Sequence, residues 1–147
     1  MTSINLTRTE AAERSHLLSV ENYSISLDLT GEDVFTSITV VSFTVREAGD
    51  TFIDLRAASV DEVYLDGADI RDQAITLGVN GYDETPGIAL RDLTPGQHTL
   101  RFAATIPYSR TGEGLHRMVD PADNEVYLYT QFETADAKRV FACFDQP

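Results

Sequence analysis

The sequence is poor in cysteine and in basic residues. Its 147 residues include one cysteine, Cys143, which excludes an intrachain disulfide framework and any metal site built from several cysteines. The neighbouring Phe141 and Phe144 predict a buried, structural thiol there. Lys and Arg number 11 against 24 Asp and Glu, and the basic residues are scattered singly. Nucleic acids and anionic membranes both require a basic surface, so we expect neither as a partner.

Long apolar segments are also missing. No window approaches the roughly 18 consecutive apolar residues of a membrane-spanning helix. Residues 1–20 mix Thr, Arg, Glu and Ser and lack the apolar stretch of a secretory signal. We therefore expect no membrane association and a cytoplasmic location. Hydrophobic residues nevertheless make up 42% of the chain, which suffices for a core, and the length predicts a single domain.

Alternation of apolar and polar residues is the dominant pattern, and it predicts strands with one solvated face. Residues 23–29 and 99–106 alternate in this way, whereas residues 38–45 are apolar on both faces and predict a central, doubly covered strand. Asp66-Gly67 is typical of a hairpin turn. Shorter strands are expected at 52–55, 63–65, 75–79 and 88–93. Together these segments predict an all-β sandwich of mostly antiparallel sheets.

Helical signals are confined to two short stretches. Residues 9–18 contain helix formers and could form a helix or a loose lead-in. Residues 134–140 predict one or two helical turns, with Thr134 as the N-cap. Neither stretch changes the all-β prediction.

Candidate metal ligands are present but dispersed. His16, His98 and His116 are far apart, and none has the His-Glu-x-x-His spacing that places two imidazoles on one helical face. A three-histidine site assembled by folding and simple surface histidines both remain open. The oxygen-rich loop Asp120–Glu125 could hold calcium, although its spacing does not fit an EF-hand and its residues are also typical of turns.

The segment 125–133 carries the most informative pattern. A period of two places one set of side chains towards the core and the other on the opposite face. The core set is Val126, Leu128, Thr130 and Phe132, and the opposite set is Tyr127, Tyr129, Gln131 and Glu133. Two aromatic rings beside an amide and a carboxylate could recognise a cationic polar group. An ordinary solvated strand face is the other interpretation.

The run from Tyr108 to Pro147 resembles the aminopeptidase N family of zinc metallopeptidases, the gluzincin aminopeptidases. The matching motifs are YTQFE at Tyr129–Glu133, AKR at Ala137–Arg139 and CFDQP at Cys143–Pro147. Upstream, the segment around Tyr23 and the later strands resemble the family in their order along the chain more than in residue identity. The resemblance thus extends over the chain and is specific over its last forty residues or so.

The resemblance implies that residues 1–147 form the saddle-shaped N-terminal β-domain of such an enzyme. Family members continue with further strands of this domain and then a catalytic domain, which supplies Gly-x-Met-Glu-Asn and His-Glu-x-x-His motifs. Neither motif occurs in this sequence. We therefore expect a domain truncated before its last strands, with no zinc and no peptidase activity of its own. An edge left unpaired could allow self-association of the fragment.

The resemblance also implies a substrate-binding role for two residues. Gln131 matches the family residue that lines the pocket for the first side chain, and Glu133 matches the one that binds the free α-ammonium group. The expected partners are peptides with a free N-terminus and the catalytic domain of the same polypeptide, where zinc would be bound. A free-standing β-sandwich module that binds peptide or carbohydrate through Tyr127 and Tyr129 is the alternative.

Overall fold

The computed structural model describes residues 5–146, and strands dominate it. The all-β sandwich predicted from alternation is confirmed. Neither α-helix in this part of the chain is long and apolar enough to cross a membrane. In chain order the elements are α1 (Arg8–Leu17), β1 (Leu18–Asp28), β2 (Val34–Val45), β3 (Gly49–Ile53), β4 (Ser59–Leu65), β5 (Ala68–Asp69), α2 (Arg71–Ala74), β6 (Leu77–Gly78), β7 (Gly81–Tyr82), β8 (Ile88–Leu93), β9 (Gly96–Pro107), β10 (Gly114–Val119), β11 (Val126–Gln131) and a 3-10 helix (Ala137–Arg139).

A five-stranded sheet in the order β1-β2-β9-β4-β5 forms the larger layer. Its strands are antiparallel, and β2 pairs with β9 from Val34 opposite Pro107 to Val45 opposite Gly96. The small β3–β8 sheet shares one hydrophobic cluster with this layer. Members of that cluster with 2% exposure or less include Phe35, Phe43, Leu100, Phe102 and Ile106 from the large sheet and Ile53, Ile88 and Leu90 from the small one.

The strands predicted for 38–45 and 99–106 are confirmed. Over residues 38–45, β2 is fully buried on one face and half-buried on the other, so the prediction of a doubly covered strand is met in full on one face only. In β9 the four residues expected to face inward are all buried: Leu100, Phe102, Ala104 and Ile106. The hairpin at Asp66-Gly67 is also present, and both residues have positive φ, as a tight two-residue turn between β4 and β5 requires.

α1 is an ordered helix with a defined start. Thr7 is its N-cap, and the Thr7 side chain accepts a hydrogen bond from the Glu10 backbone N–H at 3.2 Å. The Glu10 carboxylate in turn accepts from the Thr7 backbone N–H at 2.8 Å, which completes a capping box. The helix predicted at 9–18 is therefore present.

The prediction for 134–140 is partly wrong. A turn precedes a 3-10 helix of three residues, and its N-cap position is Asp136, not Thr134. The strand predicted at 75–79 is likewise reduced to the two residues of β6, because the chain turns back after Gly78 to pair with β7 and leaves Val79 fully exposed in the turn.

The apolar face of β1 is less covered than its alternation predicts. Ile25 and Leu27 pair with Thr39 and Ser37 of β2, both of which are buried. The backbone of residues 140–142 covers that part of β2: Ser37 Oγ donates to the Val140 carbonyl at 2.6 Å, and the Ala142 N–H donates to Thr39 Oγ1 at 3.3 Å. The backbone of residues 140–142 covers β2 but not β1, the edge strand next to it, so the apolar side chains of β1 stay exposed. The exposed set is Ile25, Leu27 and Leu29.

Candidate functional site

β10 and β11 form a two-stranded antiparallel ribbon that belongs to neither main sheet. Directly opposed residues of such a ribbon share a face. One face, here called the Gln131 face, consists of the pairs Gly114 with Gln131, His116 with Tyr129, and Met118 with Tyr127. The other face consists of Leu115 with Thr130, Arg117 with Leu128, and Val119 with Val126.

The predicted core side of β11 is wrong for three of its four residues. Every residue of β11 is exposed, including Val126, Leu128 and Thr130. The reason is that, among residues 5–146, no second layer covers most of the ribbon, and of the ribbon's own buried residues only Leu115 joins the core cluster. Phe132, just beyond the strand, does turn inward and packs edge-on against Phe141 with ring centroids 6.0 Å apart.

Gln131 and Glu133 both lie at the base of this ribbon. Gln131 is the last residue of β11 and is exposed, on the same face as Tyr129. Glu133 follows in the turn at 133–136, is also exposed, and is joined to Thr134 by a cis peptide bond. Within residues 5–146 neither side chain makes a hydrogen bond or an ion pair. A carboxyl group and an amide are therefore available to a ligand at this end of the ribbon.

Arg139 fixes the base of the ribbon against the 3-10 helix. Its guanidinium contacts Glu113 at 3.1 Å and Asp136 at 2.6 Å. Gly114, the partner of Gln131, has φ +68°, and a Cβ placed there would be 2.8 Å from Arg139 Cβ. The close approach requires glycine, and it sets where Gln131 lies relative to the body of the domain.

A stacked pair on the Gln131 face was not foreseen from the sequence. The rings of His116 and Tyr129 lie 4.8 Å apart between centroids, at an interplanar angle of 27°. His116 Nδ1 accepts a hydrogen bond from the Gly112 backbone N–H at 3.0 Å. Apolar positions at 115, 118 and 119, followed by the turn residues of 120–124, were the available signal for β10.

The three histidines predicted as possible metal ligands have separate environments. His98 lies between Asp66 and Thr94, His116 stacks on Tyr129, and His16 is exposed near the end of α1. In the described range 5–146 no group of three His, Cys, Asp or Glu side chains could hold a metal ion.

The oxygen-rich loop uses its carboxylates to build the turn between β10 and β11. Asp120 Oδ1 accepts from the Ala122 N–H at 2.8 Å, and Asp123 Oδ1 accepts from the Glu125 N–H at 2.9 Å. The hydroxyl of Tyr127 donates to Asp123 Oδ2 at 2.5 Å, and this bond lowers the pKa of Asp123. These contacts explain the Asp and Asn content of the loop through turn formation.

Comparison with known proteins places the chain in a family. It is 50% identical over 151 aligned residues to Aminopeptidase N of Streptomyces lividans. The alignment covers 100% of this chain and 17% of that protein, so the chain spans about a sixth of its relative's length. No protein-family model matches the chain. An identity this high along the whole chain shows that the chain belongs to the aminopeptidase N family.

Proposed function

We propose that residues 1–147 are the N-terminal β-domain of a zinc-dependent aminopeptidase that removes N-terminal residues from peptides. The domain is incomplete without its last strands, and the zinc ligands belong to a catalytic domain elsewhere in the polypeptide. The identity with an aminopeptidase N about six times longer supports this assignment.

Exposed apolar side chains support the view that this domain packs against more protein. On β1 and directly after it they are Ile25, Leu27 and Leu29, and on the ribbon face opposite Gln131 they are Val119, Val126 and Leu128. Groups of exposed apolar side chains of this kind generally mark an interface. The remaining strands of the domain and the catalytic domain are the partners that we propose for it.

The role of this domain is to hold the substrate's N-terminus. Glu133 binds the α-ammonium group, and Gln131 lines the pocket for the first side chain. The observation that carries this assignment is the exposed, unpartnered state of both side chains at the base of one ribbon, in a chain half identical to an aminopeptidase. A carboxylate pairs with an ammonium through charge-assisted hydrogen bonds, which are worth more in a closed cleft than on an open surface.

Glu133 performs no bond chemistry in this mechanism. Zinc, bound by the catalytic domain, would polarise the peptide carbonyl and activate water. Glu133 fixes the position of the N-terminus, so that only the first peptide bond reaches that centre. Alone, this domain binds the end of a peptide weakly and hydrolyses nothing.

The test is Glu133→Ala in the full-length protein, assayed on amino-acid p-nitroanilides with a free amine. Loss of one charge-assisted hydrogen bond corresponds to about 1.5–3 kcal/mol, or roughly a ten- to hundredfold fall in kcat/KM. Glu125→Ala is the matched control, because Glu125 is an exposed carboxylate at the other end of β11. Wild-type kinetics in Glu133→Ala would overturn the anchoring role.

The alternative function, a free-standing peptide- or carbohydrate-binding module, rests on the exposed rings of Tyr127 and Tyr129. The full-chain identity with an aminopeptidase N favours the peptidase domain. Reading the coding sequence beyond Pro147 distinguishes the two. A His-Glu-x-x-His motif a few hundred residues on supports the peptidase, and an open reading frame without it would support the binding module.

A further inference from the structure

The ribbon presents an aromatic surface beside Gln131 that the substrate-anchoring role does not use. Tyr129 is two residues from Gln131 on the same face, and its ring is stacked on His116. Although it belongs to this stacked pair, Tyr129 remains 48% exposed. One side of the aromatic pair is therefore open to a ligand that occupies the Gln131 face.

Neighbouring residues hold the aromatic pair in place. The Gly112 N–H donates to His116 Nδ1, so the neutral imidazole carries its proton on Nε2 and its ring orientation is fixed. Gly112 has φ +90°, and a Cβ at this position would lie 3.4 Å from the Tyr129 hydroxyl oxygen. The loop before β10 thus orients His116 and also closes against the end of the Tyr129 side chain. A fixed ring loses little conformational freedom when a ligand packs on it.

The distance along the strand determines which substrates can reach this surface. Two residues of an antiparallel strand span roughly 7 Å. A first side chain that starts beside Gln131 and runs along the ribbon therefore meets the Tyr129 ring only if it is long. Alanine would stop short of the ring, whereas leucine, phenylalanine and arginine would reach it. Aliphatic and aromatic groups pack on such a ring, and a guanidinium can lie over its face.

We propose that Tyr129, braced by His116, is a specificity-determining residue that favours peptides with a long first side chain. This inference rests on the proposed function, since it takes Gln131 as the start of the first side-chain pocket. Tyr129 contacts the substrate, and His116 is a positioning residue that acts through Tyr129. The aromatic wall binds ground state and transition state alike, so its contribution appears in KM more than in kcat.

The experiment compares kcat/KM for alanine, leucine, phenylalanine and arginine p-nitroanilides in the full-length protein. Tyr129→Ala should lower kcat/KM about tenfold for the three substrates with long side chains, by raising KM. It should leave kcat/KM for the alanine substrate within about twofold of wild type. Tyr129→Phe should keep the wild-type preference. Tyr127→Ala is the matched control, because Tyr127 lies on the same strand and face, one pair further away, and is 46% exposed.

A positioning role for His116 predicts that His116→Ala shifts the same preference in the same direction. A merely structural role would instead lower kcat/KM equally for all four substrates, and that result in either variant would overturn the proposal. The ratio of kcat/KM for the phenylalanine substrate to kcat/KM for the alanine substrate is the critical quantity. If Tyr129→Ala leaves this ratio unchanged, or if Tyr127→Ala shifts it equally, the proposal is overturned too. If only the anchoring role of Glu133 is wrong, Glu133→Ala has wild-type kinetics, while Tyr129→Ala still changes the preference for the first side chain. A wild type inactive on every substrate would overturn both proposals.

Discussion

Arg14 of α1 and Asp54, just after β3, form an ion pair in the interior, with 3.5 Å between Nη1 and Oδ2. Arg14 is 2% exposed, and its guanidinium lies 4.5 Å from the ring centroid of Phe52. Arg14 Nη1 also donates to the carbonyl of Phe144. The backbone of Asp54 exchanges two hydrogen bonds with Cys143, at 2.9 and 3.0 Å. Arg14 therefore joins α1, the small sheet and the segment that contains Cys143 and Phe144.

Loss of the Asp54 charge should destabilise the fold strongly. Asp54→Asn leaves the buried guanidinium without a countercharge, which typically costs about 3–5 kcal/mol. The measurement is the free energy of unfolding in urea, followed by circular dichroism. Asp72→Asn is the control, because Asp72 forms an exposed pair with Arg71 and should change stability by less than about 0.5 kcal/mol.

A double variant separates the charge from the packing. Arg14→Met combined with Asp54→Asn removes both charges and keeps an apolar side chain beside the rings of Phe52 and Phe144, which lie 4.5 and 5.5 Å from the guanidinium. We expect it to be more stable than Asp54→Asn alone. A double variant that is less stable than either single variant would show that the packing of the guanidinium matters more than its charge.

His98 should make the domain less stable as the pH rises. Its Nδ1 lies 2.6 Å from Asp66 Oδ2, and its Nε2 lies 2.6 Å from the Thr94 carbonyl oxygen. Both partners accept hydrogen bonds, so this geometry suits the imidazolium with a proton on each nitrogen. Burial acts to lower the pKa of His98, but the hydrogen bonds to Thr94 and Asp66 outweigh it and the pKa is raised.

A raised pKa in the folded state fixes the sign of this effect. The stabilisation is complete below the unfolded-state pKa of about 6.5 and disappears as the pH rises through the higher folded-state value. Urea midpoints across neutral pH should therefore fall by an amount equivalent to roughly 1 kcal/mol, and His98→Gln should remove that part of the slope. His16→Gln, which changes an exposed histidine on α1, should keep the slope. Identical slopes in wild type and His98→Gln would contradict the assignment.

Sequence periodicity predicts burial correctly only where a strand has neighbours on its apolar side. Residues 99–106 satisfy this condition because the apolar face of β9 packs in the hydrophobic cluster shared with the small β3–β8 sheet, and the same cluster buries one of the two apolar faces of residues 38–45. Leu27 and Leu128 do not, since β1 is an edge strand and β11 belongs to a lone ribbon. Their exposure depends on whether another layer covers them, and the alternation within one strand carries no information about that layer.

The candidate site likewise has one part that can be predicted from the sequence and one part that cannot. The motif around Gln131 and Glu133 is contiguous, so it can be recognised in the sequence without knowing the fold. The stack of Tyr129 on His116 depends on the register between β10 and β11, and a shift of one residue would put the two rings on opposite faces. Such a contact is visible only in the structure.

Cys143 should be unreactive while the domain is folded. Burial raises the pKa of its thiol to about 12, and nearby Asp145 and Asp54 act in the same direction. The thiolate is the nucleophile, so at neutral pH almost none is available. A disulfide reagent such as DTNB should react slowly with the native 147-residue chain and rapidly in concentrated urea. Rapid labelling of a chain that retains its native circular dichroism would contradict the buried position.

Gly114→Ala should impair substrate binding, although it adds only one methyl group. Gly114 has φ +68°, where an L residue is strained by about 1–2 kcal/mol, and a Cβ would press on Arg139 at 2.8 Å. Gly67 has φ +84° with no atom within 4 Å of such a Cβ, so Gly67→Ala reproduces the strain without the contact. Both variants should therefore lose the stability that corresponds to this backbone strain in urea denaturation, and Gly114→Ala should lose more because of its contact with Arg139.

The two glycine variants should differ in kinetics. Gly114 is the cross-strand partner of Gln131, so a displaced ribbon base moves the amide that we assign to the substrate pocket. In the full-length protein we expect Gly114→Ala to lower kcat/KM on leucine p-nitroanilide about tenfold or more, since small displacements of positioning groups are costly. Gly67→Ala should stay within about twofold of wild type. Equal kinetics in the two variants would mean that the ribbon base tolerates the shift, and that Gln131 does not require the geometry that Gly114 and Arg139 impose.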